Sequence, residues 1–243
     1  GDPWFPWFNY RDYIKSATIG PGVSGNATWM FYLCENMTTV DIQGLKATRV
    51  EEMFYGCSSL VSVDLSGLDT SGVTDMARMF RGCSSLTSVD LSPLDTSSLT
   101  SMEHMFSGCT SLASVDLPGF DASTAIAMCS MFQDCSSLVS VDLRGLSIVR
   151  SVNMKEMFKN CSALEVIDLS GLNMSSAWNM QFTFSGCTSL ATVDLSGVDA
   201  SRVTDMSQMF DGCTSLTAVN LSGFDASSVT NMSRMFFGCS ALA

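Results

Sequence analysis

The chain has 243 residues, with 12 Lys and Arg against 24 Asp and Glu, for a net charge of −12. Such a field repels phosphate backbones and anionic lipid, which argues against a nucleic-acid reader and against direct membrane insertion. No run of 18 apolar residues occurs, nor a basic leader followed by an apolar stretch, so the sequence shows neither a spanning helix nor a signal peptide.

Residues 1–29 form a distinct opening segment, in which Trp4, Phe5, Trp7, Phe8, Tyr10 and Tyr13 crowd together. A stacked-repeat protein must cover the apolar end of its first coil, and an aromatic cluster suits that task; the competing reading is an aromatic ligand site. Ile14, Ala17 and Ile19 carry the apolar spacing of a first strand over 14–19, and Gly20-Pro21-Gly22 then turns the chain.

Residues 30–243 are a repeat array. Cys57, Cys83, Cys109, Cys135, Cys161, Cys187, Cys213 and Cys239 follow one another at 26-residue intervals, and Cys34 precedes Cys57 by 23. The array comprises one 23-residue unit, seven 26-residue units and a partial unit. Such periods indicate a solenoid in which each unit touches only its neighbours. The last unit stops part-way, at Ser240-Ala241-Leu242-Ala243, so further chain is expected beyond it.

Within residues 79–104, Leu86, Val89 and Leu91 predict a short strand with one buried face, and repetition makes these strands a parallel sheet. Leu99, Met102, Met105, Phe106 and Cys109 recur at three- and four-residue steps, which predicts a short helix after every strand. Gly56, Gly82, Gly108, Asp134, Asn160, Gly186, Gly212 and Gly238 share one slot, a set that tolerates the left-handed residue closing a helix. Gly67, Gly119, Gly145, Gly171, Gly197 and Gly223 share theirs with Pro93, whose ring fixes a negative φ, so no positive φ is expected there. Asp69, Asp95, Asp121, Asp199 and Asp225 alternate with Ser147 and Asn173 in a slot suited to Asx turns and N-caps. Each unit offers about nine core-facing side chains, and their burial requires stacking.

Nine of the ten cysteines occupy that single ladder slot. Stacked at roughly 5 Å with parallel Cα–Cβ vectors, their Cβ atoms lie beyond the favoured disulfide range, so buried free thiols are expected.

The run Phe80-Arg81-Gly82-Cys83-Ser84-Ser85-Leu86-Thr87-Ser88-Val89-Asp90-Leu91 resembles the BspA-like leucine-rich repeats of bacterial surface proteins, in the 26-residue form also seen in mycoplasmal lipoprotein-type proteins of unknown function. The resemblance spans residues 14–243, and Pro6-Trp7, Tyr10-Arg11-Asp12 and Ile14-Lys15 resemble the lead-in to such arrays. It implies an α/β repeat fold: a right-handed leucine-rich-repeat solenoid with a parallel sheet on one face and short helices on the other. It further implies an extracellular, cell-surface location anchored through other parts of the chain. Adhesion or partner binding follows, with a host surface or matrix protein as partner. Leu94 and its equivalents stand where such repeats often carry an Asn or Cys ladder, so a differently built turn is expected.

Catalysis needs unlike groups that converge, whereas repetition supplies like ones. His104, the single histidine, reads as a solvated surface residue, and no Ser-His-Asp set, phosphate loop or zinc spacing occurs. Cys129 occupies a slot filled elsewhere by Ala77, Glu103, Lys155 and Gln181; it is either a reactive or inter-chain thiol or a neutral substitution.

The remaining candidate is the acidic column Asp41, Asp64, Asp90, Asp116, Asp142, Asp168 and Asp194, ending in Asn220. Alternation with buried Val and Leu places it on the open strand face, where adjacent carboxylates about 5 Å apart repel by about 1 kcal/mol in water. Hydrogen bonds to Ser62, Ser88, Ser114, Ser140 and Thr192 would relieve this; alternatively the column binds calcium or a cationic partner. No other cofactor is indicated. The expected function is a non-catalytic adhesion or protein-binding module working through the strand face, the alternative being a spacer with no ligand.

Overall fold

The computed structural model describes residues 5–117, 123–124, 127–143, 152–167, 169 and 174–243. Asp168 and the predicted turn residues Gly119, Asp121, Gly145, Ser147, Gly171 and Asn173 lie outside them, as does Trp4.

The chain enters through a 3-10 helix, Phe8–Tyr13, and then winds in parallel coils. Strands β1 (Ser16–Ile19) and β3 (Thr39–Ile42) pair in parallel, as do β6 (Ser114–Asp116) with β7 (Ser140–Asp142) and β10 (Thr192–Asp194) with β11 (Ala218–Asn220). The Val-Asp strands read from the sequence form in some coils, with a register of one repeat where they pair, Val115 facing Val141 and Val193 facing Val219; residues 61–65 and 86–91 keep the alternating burial but carry no assigned strand. A second line of pairing joins β2 (Val23–Asn26), β4 (Leu45–Arg49) and β5 (Leu68–Asp69). A third joins β8 (Val152–Asn153) to β9 (Ala177–Asn179), and single bridges such as Asp75 to Ser101 and Asp205 to Asn231 continue it. The protein is a parallel β-solenoid of short strands.

The predicted helices do not form; among the described residues the only helix is the opening 3-10 turn. In residues 76–86 every second amide closes a turn instead: Met79 N–H donates to Met76 O, Arg81 to Arg78, and Cys83 to Phe80, at 3.0 to 3.2 Å. The intervening amides point sideways, from Met76 to Ser101, Arg78 to Glu103, Phe80 to Met105 and Gly82 to Ser107, at 2.8 to 3.0 Å. Consecutive turns repeat an inward side chain at three- and four-residue steps just as a helix does. Met76, Met79, Phe80, Cys83 and Leu86 are accordingly fully buried without one. A helix keeps its hydrogen bonds to itself, whereas this backbone directs half of them to the next coil.

Each run of turns uses two left-handed residues. The later is the predicted slot, with φ from 61° to 77° at Gly56, Gly82, Gly108, Asp134, Asn160, Gly186, Gly212 and Gly238, and 56° at Leu33. The earlier was not foreseen and is never glycine: Trp29, Glu52, Arg78, His104, Ser130, Glu156, Phe182, Gln208 and Arg234 have φ from 55° to 62°. Side chains other than Gly, Asn or Asp cost about 1–2 kcal/mol in that region. The expectation for the glycine slot after the strand holds at Gly67, which is required for space, since an added Cβ would overlap Ile42 O. It fails at Gly197 and Gly223, whose φ values are 69° and 74°, so that corner is built differently from coil to coil.

The core is a set of ladders running along the solenoid. Phe54, Phe80, Phe106, Phe132, Phe158, Phe184, Phe210 and Phe236 stack with ring centroids 5.3 to 5.7 Å apart and planes within 9°. Phe31 sits 5.6 Å before Phe54, Trp7 lies 6.4 Å from Phe31, and Phe5 stacks on Trp7 at 4.9 Å. The Trp7 indole N–H donates to Met30 O at 2.7 Å, pinning the opening segment to the first coil. Tyr10 and Tyr13 take no part in this stack and are exposed.

Two outcomes are expected. Far-UV circular dichroism should show a β-type spectrum, and a helical double minimum would contradict the turn ladder. Phe106→Ala, which opens a gap in a fully buried stack, should lower stability by about 3–5 kcal/mol in guanidinium unfolding.

Candidate functional site

Reactive groups are placed by the same ladders. Each ladder cysteine from Cys57 to Cys239 donates its thiol proton to the Phe carbonyl of the preceding coil, as Cys83 Sγ does to Phe54 O at 3.1 Å. That carbonyl already accepts the amide of Cys57, so the thiol uses its second lone pair. All ten cysteines are free. Burial pushes the thiols of Cys83, Cys135 and Cys213 up to about 12 and that of Cys34 to about 11. Cys129 is half-buried beside Glu103, and burial followed by that carboxylate pushes it to about 12 as well. Both effects oppose thiolate formation at Cys129.

His104 is half-buried rather than solvated, and its Nδ1 is buried without a hydrogen-bond partner. Burial, then Arg81 and Arg78, hold it below the usual imidazole range.

The acidic column follows the strands. Asp41, Asp64, Asp90 and Asp194 are exposed, Asp142 is half-buried, and Asp116 ends β6. The carboxylates of Asp64, Asp90 and Asp194 accept the amides of Ser66, Ser92 and Ser196 at 2.8 to 2.9 Å, closing Asx turns. Asn220 does the same with Ser222 at 3.1 Å, and Asp41 accepts from Gln43 at 2.8 Å. These partners lie two residues on, so the repulsion is offset by turn amides and not by the Ser62 and Ser88 hydroxyls. The Ser66 amide holds Asp64 below the ordinary carboxylate value, and the Ser92 and Ser196 hydroxyls do so for Asp90 and Asp194. Two more columns repeat the device: Asp69, Asp95, Asp199 and Asp225 cap the next corner, and Asp75, Asn153, Asn179, Asp205 and Asn231 the third. Among the described residues no group of three or more His, Cys, Asp or Glu side chains is placed to hold a metal ion.

The face carrying the turns is chemically irregular, and sequence reasoning passed over it. Tyr32 and Tyr55 stack at 4.9 Å, and the Arg81 guanidinium lies 5.6 Å over the Tyr55 ring. The Trp29 indole N–H donates to Glu52 at 3.1 Å, and Arg78 pairs with Glu52 at 3.6 Å. Further along, Lys159 pairs with Glu156 at 3.4 Å and lies over Phe182, and Arg234 covers Phe237. The signal available in the sequence was that these slots change type from repeat to repeat while the core slots do not. At the open end of the first coil, Trp7, Ile14, Ala17, Ile19, Val23 and Phe31 line an apolar recess of about 430 Å³.

Coils stacked on shared Phe, Cys, Leu and Val ladders define a parallel β-solenoid repeat protein. The chain belongs to the family described as "Mycoplasma protein of unknown function, DUF285", whose model matches residues 26–146 and 152–243. Similar solved structures are leucine-rich repeat proteins. That of T. pallidum is 24% identical, covering 84% of this chain and 75% of its own, with a TM-score of 0.41. A Bacteroides ovatus protein is 18% identical over 93% and 85%, with a TM-score of 0.33. A leucine-rich cell surface protein from Faecalibacterium prausnitzii is 18% identical over 94% and 86%, with a TM-score of 0.38. No curated protein matches the chain. Among the described residues no helix is long and apolar enough to cross a membrane.

The thiol ladder gives a pH dependence with a definite sign. Folded thiols titrating near 12 against an ordinary 9.0 contribute stability that is full below pH 9 and is lost as pH rises from 9 towards 12. The guanidinium midpoint should fall across that window. A disulfide-exchange thiol reagent at pH 8 should find no fast-reacting cysteine in the native chain and all ten once it is unfolded; rapid labelling of Cys129 would contradict its burial.

Proposed function

We propose that the chain is a non-catalytic protein-interaction module of the cell surface, serving adhesion or partner capture. The observation that carries this reading is the fixed, coil-by-coil spacing of exposed side chains on a backbone whose hydrogen bonds are satisfied by its neighbours. Such a scaffold presents a long surface of constant geometry, so little ordering is required on binding. The chemistry agrees: the ladder thiols are spent on Phe carbonyls of the preceding coil. A surface location follows from the resemblance of the repeat to bacterial surface proteins.

On the strand face, the column from Asp41 through Asp64, Asp90, Asp116, Asp142 and Asp168 to Asp194 is proposed to meet a cationic protein surface, such as that of a matrix protein. Each Asx-turn carboxylate keeps lone pairs for an incoming Lys or Arg. Calcium is the less favoured occupant, because it takes about six to eight oxygens and among the described residues no three acidic side chains converge. The monotony of this face favours one second reading, a spacer with no ligand of its own.

An array of immobilised matrix and cell-surface proteins probed with the soluble chain should show saturable, salt-sensitive binding to at least one protein, whereas silence across it would favour the spacer. Millimolar calcium should leave the melting temperature unchanged; an increase of several degrees would restore the metal reading.

A further inference from the structure

Every run of turns has two left-handed positions, four residues apart, and they are filled in opposite ways. The later is Gly, Asn or Asp in all coils but the first. An added Cβ at Gly82, Gly108, Gly212 or Gly238 would meet the preceding coil at 3.4 to 3.9 Å, near ordinary contact, so the backbone conformation accounts for that choice. The earlier position has the same backbone, yet carries Trp29, Glu52, Arg78, His104 and Phe182, with no residue of the kinds that relax there. Strain kept at one position, in a chain that relieves it four residues later, marks side chains retained for their interactions: Trp29, Glu52 and Arg78 bond one another from coil to coil, which fixes the surface they present.

We propose that the turn face of the first coils, centred on Trp29, Tyr32, Tyr55, Arg78 and Arg81, is a docking surface for a protein segment that presents carboxylates. It rests on the reading of the chain as an interaction module and adds a second face to it. The five side chains are half-buried and mutually braced by the Tyr32–Tyr55 stack, the Arg81 contact over Tyr55 and the Trp29 and Arg78 bonds to Glu52, so their positions are set before a partner arrives. Among the described residues Arg81 makes no ion pair, although its planar fork is held on an aromatic ring; that arrangement suits bidentate capture of a carboxylate. Trp, Tyr and Arg are also the side chains that dominate binding energy at protein interfaces. Arg78 is paired with Glu52 and lies near the corner cap Asp75, so Arg81 is the cation of this patch left to meet a carboxylate, on a chain of net charge −12 whose strand corners carry the Asp columns.

The test uses the full chain, with poly-L-glutamate as probe and poly-L-lysine as its counterpart, by calorimetry at low salt. Wild type should bind poly-L-glutamate, and the Arg78→Asn/Arg81→Ala variant should bind it at least about tenfold more weakly. Its melting temperature should be unchanged or raised, because Asn tolerates the left-handed conformation, and its poly-L-lysine binding should be unaltered. Self-association that disappears in Arg81→Ala would support the surface and identify the carboxylates as those of a second copy. Equal poly-L-glutamate binding by wild type and variant would overturn the proposal, as would none by wild type. A drop of several degrees in Arg78→Asn would do so too, since it would give the strained column a structural role. Binding of poly-L-lysine alone, lost in Asp64→Asn/Asp90→Asn, would overturn the turn-face surface while leaving the module reading in place.

Discussion

The structure depends on lateral hydrogen bonding between coils. Half the amides of each turn segment donate to carbonyls of the next coil, and the ladder thiols return a bond to the preceding one. A single coil could satisfy neither its main chain nor its apolar side chains, so order is a property of the stack. The Phe rings show the same dependence: those from Phe54 to Phe210 stack on an equivalent at either side, and Trp7 and then Phe5 continue the stack beyond Phe31.

This constraint decides which residues remain for recognition. Cysteine serves the interior, because a small side chain with a weak donor fits between stacked coils where a carbonyl has a lone pair to spare. The aspartates, conspicuous as a repeated charge, work first as corner caps. Chemical variety concentrates on the turn face, where neighbouring coils differ in charge, aromaticity and size although the backbone beneath them repeats. The two faces therefore differ in kind: one is uniform and acidic, the other irregular and braced by aromatic and ionic contacts.

Much of the interior was legible in the chain because each ladder residue recurs at one interval. The Val-Asp strands, their parallel pairing and the Gly, Asn or Asp slot at Gly82, Asp134 and Asn160 follow from alternation and from the residue types that accept positive φ. The helix was not legible. Leu99, Met102, Met105, Phe106 and Cys109 have a spacing that a helix and a succession of tight turns share, and the difference lies in where the amides point. The left-handed slot at Arg78 and His104 left no compositional sign, since residues that disfavour that conformation occupy it.

The sequence by itself determined the coil length, the inward-facing set and the positions of the turn-capping carboxylates, because these depend on local chemistry repeated at a constant interval. Tertiary structure alone decided that the turn segments form a solenoid wall rather than helices, and that Trp29, Tyr32, Tyr55, Arg78 and Arg81 share one face. Both depend on hydrogen bonds and ring contacts between residues 23 or 26 apart, which exist only once one coil lies against the next.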